Sequence, residues 1–406
     1  MPRATGSALD QGVLTVSEKL RVLHVIADLD PRSGGTSRAV VDLAGALAKE
    51  PGLEVTVMFQ SRSGQEHLPT DPSVRRMPVM VDSPWARISG WLVRKVLISE
   101  IKRARPDVIH VHGLWQPLCH WAASLATQHG IPLVVQPHGM LEPWALNHKA
   151  WRKRISLMLY QRRDLKIAAA LVASTEREMD SFRKLGLSND VAVIPHGIHV
   201  DNATDSAADR TEETKRLRKI LFLSRLHPVK GLSTLLRAWS QVDRAGWQLI
   251  VAGPDEGGYL RQMRDLAGEL RLADDISFAG EVQGQVKASA YRSADLFVLP
   301  TQSENFGIVI AEALSYGVPV ITTRAAPWGA LETHRCGWWI DQGVEPMART
   351  LSVAMALSDI ERRAMGRRGR ELVHRYRWEV VAARAAILYR KCAGLAIVPG
   401  GAEWIQ

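Results

Sequence analysis

Leu296–Pro319, LFVLPTQSENFGIVIAEALSYGVP, decides how the chain folds. Leu296–Leu299 is an unbroken apolar run that stops at Pro300, and a polar stretch follows. From Phe306–Gly307 onward, Ile308, Ala311, Glu312 and Ser315 recur at helical intervals. Such near-continuous hydrophobicity suits a strand buried on both faces of a parallel sheet. Glu304 falls in the loop and Glu312 within the helix, eight positions on, about 12 Å if all were helical. The two carboxylates therefore do not share a proton; they address different parts of one extended ligand. The free N–H groups of Phe306, Gly307 and Ile308 offer an anion site at the helix start, and Gly307 lets a phosphate approach the backbone. Spacing alone leaves a second account open, with Glu304 complementing the helix dipole and Glu312 on a solvated face.

The same alternation extends in both directions. Val22–Ala27, Val55–Phe59, Val108–Val111, Leu133–Gln136, Leu171–Ala173 and Val191–Ile194 read as strands, with helical segments such as Arg38–Lys49 and Trp91–Arg103 between them. Asn202–Lys215 is polar and lacks apolar periodicity; then Ile220–Leu223, Gln248–Ala252, Ile276–Phe278, Leu296–Leu299 and Val318–Thr322 resume the pattern. This is βαβ repetition. It predicts an α/β chain of two Rossmann-like, doubly wound domains, 1–200 and 201–375. A segment 376–406 carries the helical pattern Trp378–Leu395 and is expected to return to the first domain. Ligands of such sheets bind at the carboxyl ends of the strands, so an interdomain cleft is the place to search.

With 406 residues, 46% hydrophobic and 23% charged, the chain can bury two cores. Three scattered cysteines, Cys119, Cys336 and Cys392, form no disulfide framework and fit a reducing compartment. Met1–Lys19 has no apolar signal-peptide region, and no run suffices for a spanning helix; a cytoplasmic protein is expected. The net charge of +10 favours phosphates, anionic lipid or nucleic acid, or is a solvated Arg-rich surface.

Arg225 and Lys230 flank a turn just after the strand Ile220–Leu223, where a cleft ligand would sit, or form an ordinary surface pair. Gly34–Gly35 opens the helix that follows the first strand, permitting either phosphate approach or tight geometry. His138 follows Leu133–Gln136, a place for a catalyst or for a satisfied structural group. His110 and His112 share one face of their strand, with no ligand partner at metal-binding spacing. No metal and no cofactor are expected; in particular, no Gly-x-Gly-x-x-Gly follows the first strand.

Glu304–Asn305–Phe306–Gly307 with Ala311–Glu312–Ala313 resembles the signature of the retaining glycosyltransferases of family 4, also called group 1, which have the GT-B fold. The resemblance covers nearly the whole chain. Ser33–Thr36, Pro137–Met140, Val193–Ile198, Ser224–Gly231 and Val251–Pro254 stand in the family's order. It implies that Glu304 binds donor-sugar hydroxyls near the reacting carbon, and that the amides of Asn305, Phe306 and Gly307 seat the sugar. Ile308 would help at the phosphate, and Glu312 would hold the ribose. Arg225 and Lys230 would clamp the diphosphate, Gly34 and Gly35 would approach it from the other domain, and His138 would line the cleft. His196 departs from the family's usual asparagine; histidine tolerates a left-handed turn, while any hydrogen bond made by asparagine is in doubt.

Two basic, Trp-bearing segments remain. One holds Trp85, Arg87, Trp91, Arg94, Lys95, Lys102, Arg103 and Arg105; the other, Trp144–Lys166, includes Lys149, Arg152, Lys153 and Arg154. Both suit an anionic membrane surface, or equally a solvated helix packed on the sheet. No nucleic-acid reading module is present. Gln136–Leu146 with Lys149–Arg154 resembles a bacterial branch associated with exopolysaccharide or lipopolysaccharide assembly. The reading is a retaining hexosyltransferase using a nucleoside diphosphate sugar donor and a saccharide or lipid-linked acceptor. A nucleotide-sugar 2-epimerase and a non-catalytic sugar-nucleotide-binding subunit are the rivals.

Overall fold

The computed structural model describes residues 19–31, 35–82, 90–147, 150–200 and 217–395. Two parallel sheets organise them. The first comprises β1 (Leu20–Ile26), β2 (Leu53–Ser61), β3 (Arg75–Met80), β4 (Val108–His112), β5 (Leu133–Gln136), β6 (Ala170–Ala173) and β7 (Asp190–Val193), in the order β3-β2-β1-β4-β5-β6-β7. The second comprises β8 (Arg218–Leu223), β9 (Trp247–Ala252), β10 (Ile276–Gly280), β11 (Leu296–Leu299), β12 (Val320–Thr323) and β13 (Gly337–Ile340), in the order β10-β9-β8-β11-β12-β13. Each sheet reverses its winding once, between β1 and β4 and between β8 and β11. Those reversals are the crevices that doubly wound sheets offer to ligands.

Helices cover both faces. In the first half they are α1 (Gly35–Leu47), α2 (Trp91–Ala104), α3 (Pro117–Gln128), α4 (Pro143–Asn147), α5 (Ala150–Ser156), α6 (Arg162–Lys166) and α7 (Glu176–Lys184). A π-helical turn, Leu157–Gln161, joins α5 to α6. In the second half they are α8 (Leu232–Trp239), α9 (Tyr259–Glu269), α10 (Gly284–Ser293), α11 (Ile308–Ser315), α12 (Ala330–Thr333), α13 (Val344–Ala356), α14 (Asp359–Val373) and α15 (Trp378–Cys392).

Local chemistry sets the helix ends. Pro117 takes the first turn of α3, where its missing N–H costs nothing. Ser358 and Glu361 cap each other at α14. The central strands are largely apolar because helices bury both of their faces; β11 and β12 are buried at every residue. One core fills the second sheet, and two clusters line the faces of the first. The terminal helix α15 belongs to the first-sheet core, where Trp378, Val381, Ala385 and Tyr389 pack with α1 and β1.

Two strands lie beyond the sequence reading, and both are edges. β3 reads Arg-Arg-Met-Pro-Val-Met with partial exposure, and Pro78 is tolerated because only one side of an edge strand is paired. β13, Gly-Trp-Trp-Ile, is half-buried throughout. The left-handed turn allowed for His196 is also corrected. His196 is absent from the non-glycine residues of positive φ, whereas His138, at φ 54°, is one of them.

Candidate active site

The second-sheet wall is built at the β8/β11 reversal. His227 accepts a hydrogen bond from Val229 N–H (3.2 Å), capping the tight turn Pro228–Lys230. The loop after β11 is tied to that turn, because Gln302 N–H and Thr301 Oγ1 both donate to Val229 C=O (2.7 and 3.2 Å). This places Lys230 Nζ 2.5 Å from Glu304 Oε2, with the two side chains only 12% and 14% exposed. Arg225 stands at the mouth of the same turn, half exposed and paired with Glu256.

Gly307 adopts φ 82° as the residue before α11, a conformation favouring glycine. Phe306 is buried, and its carbonyl accepts from Trp328 Nε1 (2.5 Å). One turn into α11, Glu312 accepts from Lys287 Nζ (2.5 Å) and Tyr291 O–H (2.8 Å) on α10. Burial and the neighbouring Glu312 carboxylate push the Tyr291 phenol well above its usual range, so it serves as a donor.

The opposite wall comes from the first sheet. Gly35, at the start of α1, faces Ile308: a Cβ on it would lie 3.7 Å from Ile308 Cδ1. Gly34 lies outside the described residues. After β5 the chain turns through His138 and Gly139 (φ 54° and 77°). A Cβ on Gly139 would sit 2.9 Å from Asn305 Cβ, so glycine is needed for the two halves to meet here.

That turn is held by Glu178 of α7. Its carboxylate accepts from Gly139 N–H (2.5 Å) and Ser174 N–H (2.7 Å). In the amide orientation that satisfies both ends, Asn305 donates to Glu178 Oε2 (3.3 Å) and accepts from Gly139 N–H (3.3 Å). Burial raises the Glu178 carboxyl to about 7, against the pull of these donors.

Behind His138 runs a file of imidazoles. His24 Nδ1 lies 2.8 Å from His112 Nε2, and His112 Nδ1 lies 3.1 Å from His138 Nε2. His196 stacks on His138 at 5.3 Å and meets Ser174 Oγ at 3.3 Å. Burial lowers every one of these histidines, His24 to about 3 and His196 to about 4, so the file is uncharged at neutral pH. A chain of neutral rings has two proton registers, and only one leaves His138 Nδ1–H directed away from the file as a donor.

The reading that His110 and His112 lack a ligand partner is corrected by β1. His24 pairs in register with His110, and one ring nitrogen from each of His24, His110 and His112 lies within 4.8 Å of the others. Neutral imidazoles are ligands for late transition ions. Here, however, His112 uses both nitrogens in the file, and His110 Nδ1 is taken by Tyr389 O–H (2.7 Å).

The structure thus brings Glu304, Lys230, Asn305, Phe306, Gly307 and Ile308 together with Gly35 and His138. Arg225 and Glu312 flank them. Sequence reasoning missed Glu178, Lys287, Tyr291 and His24. Only Glu178 carried a local signal, the Thr175-x-x-Glu178 capping spacing.

Two Rossmann-like parallel sheets, with Gly35 facing Ile308 and Gly139 meeting Asn305 between them, are the architecture of the GT-B class. Residues 204–372 match the family described as glycosyl transferases group 1, and residues 33–202 match glycosyltransferase family 4. Phosphatidyl-myo-inositol mannosyltransferase of Mycobacterium leprae is 31% identical over 71% of this chain and 74% of its own length. The GDP-mannose-dependent alpha-(1-6)-phosphatidylinositol monomannoside mannosyltransferase of Mycobacterium tuberculosis is 28% identical over 91% and 98%. Among solved structures, sucrose-phosphate synthase from Thermosynechococcus elongatus shares the fold, with TM-score 0.75 at 21% identity, covering 91% of this chain and 98% of that one. The chain belongs to glycosyltransferase family 4, group 1, and is a glycosyltransferase of GT-B fold.

Proposed function

We propose that the protein transfers a hexosyl unit from a nucleoside diphosphate sugar to a hydroxyl of a saccharide or lipid-linked saccharide, with retention of configuration. The observation that carries this reading is the Lys230–Glu304 pair beside the α11 N-terminus, with Glu312 one turn further on. One cleft then offers cation and amides for a diphosphate, a carboxylate for sugar hydroxyls and a second carboxylate for ribose. Lys287 and Tyr291 hold the Glu312 side chain in place for the ribose diol.

In the transferase step the bond from the anomeric carbon to the diphosphate oxygen breaks, and a bond to the acceptor oxygen forms. The transition state is oxocarbenium-like, and negative charge accumulates on the leaving diphosphate. Lys230, Arg225 and the amides at Gly307 and Ile308 stabilise that charge, a contribution of roughly 3–4 kcal/mol per donor. Glu304, already engaged by an ammonium, suits binding of hydroxyls rather than nucleophilic attack. The acceptor then approaches on the face the diphosphate leaves, and its proton passes to the departing phosphate oxygen. His138, neutral and linked to His112, donates to a sugar hydroxyl or a phosphate. No step requires a divalent ion, and turnover in excess chelator is expected to match turnover without it.

GDP-mannose and an inositol lipid, the donor and acceptor class in the name of one relative, are the first pair to try under this reading. The test is calorimetry of wild type, Glu312→Ala and Arg225→Ala against nucleoside diphosphates. Micromolar, base-selective binding weakened in both variants supports the reading. Folded wild type that binds no diphosphate removes it.

A further inference from the structure

Behind the cleft, His24, His112 and His138 are joined end to end by two hydrogen bonds, His24 Nδ1 to His112 Nε2 (2.8 Å) and His112 Nδ1 to His138 Nε2 (3.1 Å). Burial keeps all three rings uncharged, so each carries one N–H. Two of these protons occupy the two bonds. The third must sit at an end of the file, on His24 Nε2 or on His138 Nδ1. Both end atoms are buried, and neither has a hydrogen-bond partner among the described residues. One placement makes every ring of the file Nδ1–H; the other makes every ring Nε2–H.

The inner end decides between them. β1 and β4 pair His24 with His110 in register, and the two ring centroids lie 5.2 Å apart. His110 Nδ1 meets the hydroxyl of Tyr389 on α15 at 2.7 Å, while His110 Nε2 is, like His24 Nε2, buried and unpartnered among the described residues. The phenol keeps its proton, since burial pushes it well above its usual range. Donating it to His110 Nδ1 satisfies that proton, and His110 then holds its own on Nε2. A proton on His24 Nε2 would put a second orphaned donor into one dry cluster. A bare nitrogen there leaves one donor and one lone pair instead, and orphaned N–H groups are the rarer defect in buried structure. The inner end is also closed, with His24 and His110 0% and 2% exposed, whereas at the cleft a ligand can bring an oxygen.

We propose that His24 and His112 are positioning residues that hold His138 as the Nδ1–H tautomer before any ligand arrives, so that the cleft presents a fixed donor. Tyr389 and His110 set the register from the far end of the file. The ligand atom at His138 is then one that carries a lone pair, such as a hydroxyl or phosphate oxygen. The role in turnover rests on the transferase reading; the register itself does not.

The test is nitrogen NMR of the full chain carrying isotope-labelled histidine, in chelator, where ring-nitrogen shifts separate bare from protonated positions and single substitutions assign the signals. Without ligand, His24, His112 and His138 are each expected to be protonated on Nδ1 and bare on Nε2, with His110 reversed. Any of the three protonated on Nε2 overturns the proposal. So does an Nδ1 proton on His138 that appears only when GDP-mannose or UDP-glucose is added, because the ligand then sets it. Zinc that shifts the three rings together also overturns it, since the His24–His112 contact would then be a pair of metal ligands. For turnover, with whichever of the two donors wild type uses, His112→Leu is expected to lose the single tautomer at His138 and roughly five- to tenfold in kcat/KM, the share of one hydrogen bond whose donor form is only partly populated. His112→Asn, whose amide can donate to His138 in place of Nδ1, should recover most of both. A folded Leu variant with His138 still wholly Nδ1–H overturns the positioning role; should that variant not fold, the wild-type spectrum decides alone. A wild type that shows the Nδ1 register yet turns over neither donor counts against the transferase reading and leaves the register standing.

Discussion

Lys230 and Glu304 pair at 2.5 Å, so under the proposed function an incoming diphosphate competes with a carboxylate for the same ammonium. Replacing Lys230 by alanine removes the cation and leaves Glu304 little exposed and without its counter-charge. Turnover per bound donor should fall about 10²–10³-fold, the cost of one preorganised charge. In the double variant Lys230→Ala/Glu304→Gln the penalties should sum to less than the two single losses, since the residues act as a unit; steady-state kinetics on the four proteins measures the coupling. Glu178 makes a different prediction. Its folded carboxyl sits at about 7, against 4.5 as the reference value. The native state therefore holds the proton more tightly than the unfolded chain across pH 4.5–7. Stability must decline as pH rises through that window, with a slope of at most about 1.4 kcal/mol per pH unit from this group. Thermal unfolding of Glu178→Gln should lack that contribution, so the gap between variant and wild type should vary with pH below 7 and level off above it.

Elements were legible wherever both faces of a strand are buried. β1, β8, β11 and β12 announce themselves as apolar runs because helices cover them on each side. The edges β3 and β13 lack that signature; one carries Arg75, Arg76 and Pro78, the other two tryptophans in four residues. Spacing alone left Glu304 and Glu312 open to a structural account; the family resemblance is what grouped them with Gly307 as one candidate site. Registers between distant strands are not written locally, and for that reason His24 joined His110 and His112 only once β1 and β4 were paired. Glu178 was hidden by its own cap: Thr175 accepts its N–H as any helix start would, while the carboxylate reaches the turn of another strand. The His138–Gly139 turn gives the prediction at this scale. Gly139→Ala must hold alanine at φ 77° and force Asn305 away, at about 1–2 kcal/mol for the backbone alone. A lowered melting temperature is expected together with roughly tenfold slower transfer, because the displaced residue belongs to the loop proposed to bind the donor; thermal melts and donor kinetics on one preparation read both.

Across the whole molecule the charge is +10, and part of it lies where large apolar side chains face outward. Trp151, Met158 and Leu159 are 64%, 79% and 70% exposed, alongside Arg152 and Arg154 on α5. On α2, Lys95 sits 3.8 Å above the Trp91 ring, itself largely exposed. Trp85, Arg87 and Lys149 lie outside the described residues. No helix among the described residues is long and apolar enough to cross a membrane. A folded protein gains nothing from exposing such side chains to water, whereas at an interface their rings and chains enter the headgroup layer while the cations meet anionic lipid. Each basic residue near the surface contributes about 1 kcal/mol there, over a Debye length of about 8 Å at physiological ionic strength. The protein is therefore expected to cosediment with phosphatidylglycerol vesicles at low salt and to be released as salt rises toward about 1 M, where screening shortens to about 3 Å. Vesicles of phosphatidylcholine alone should retain little of it. Trp151→Ala/Met158→Asp should weaken sedimentation at every salt concentration, because it removes the apolar half of the contact. Unchanged sedimentation of that variant would assign the attraction to charge alone.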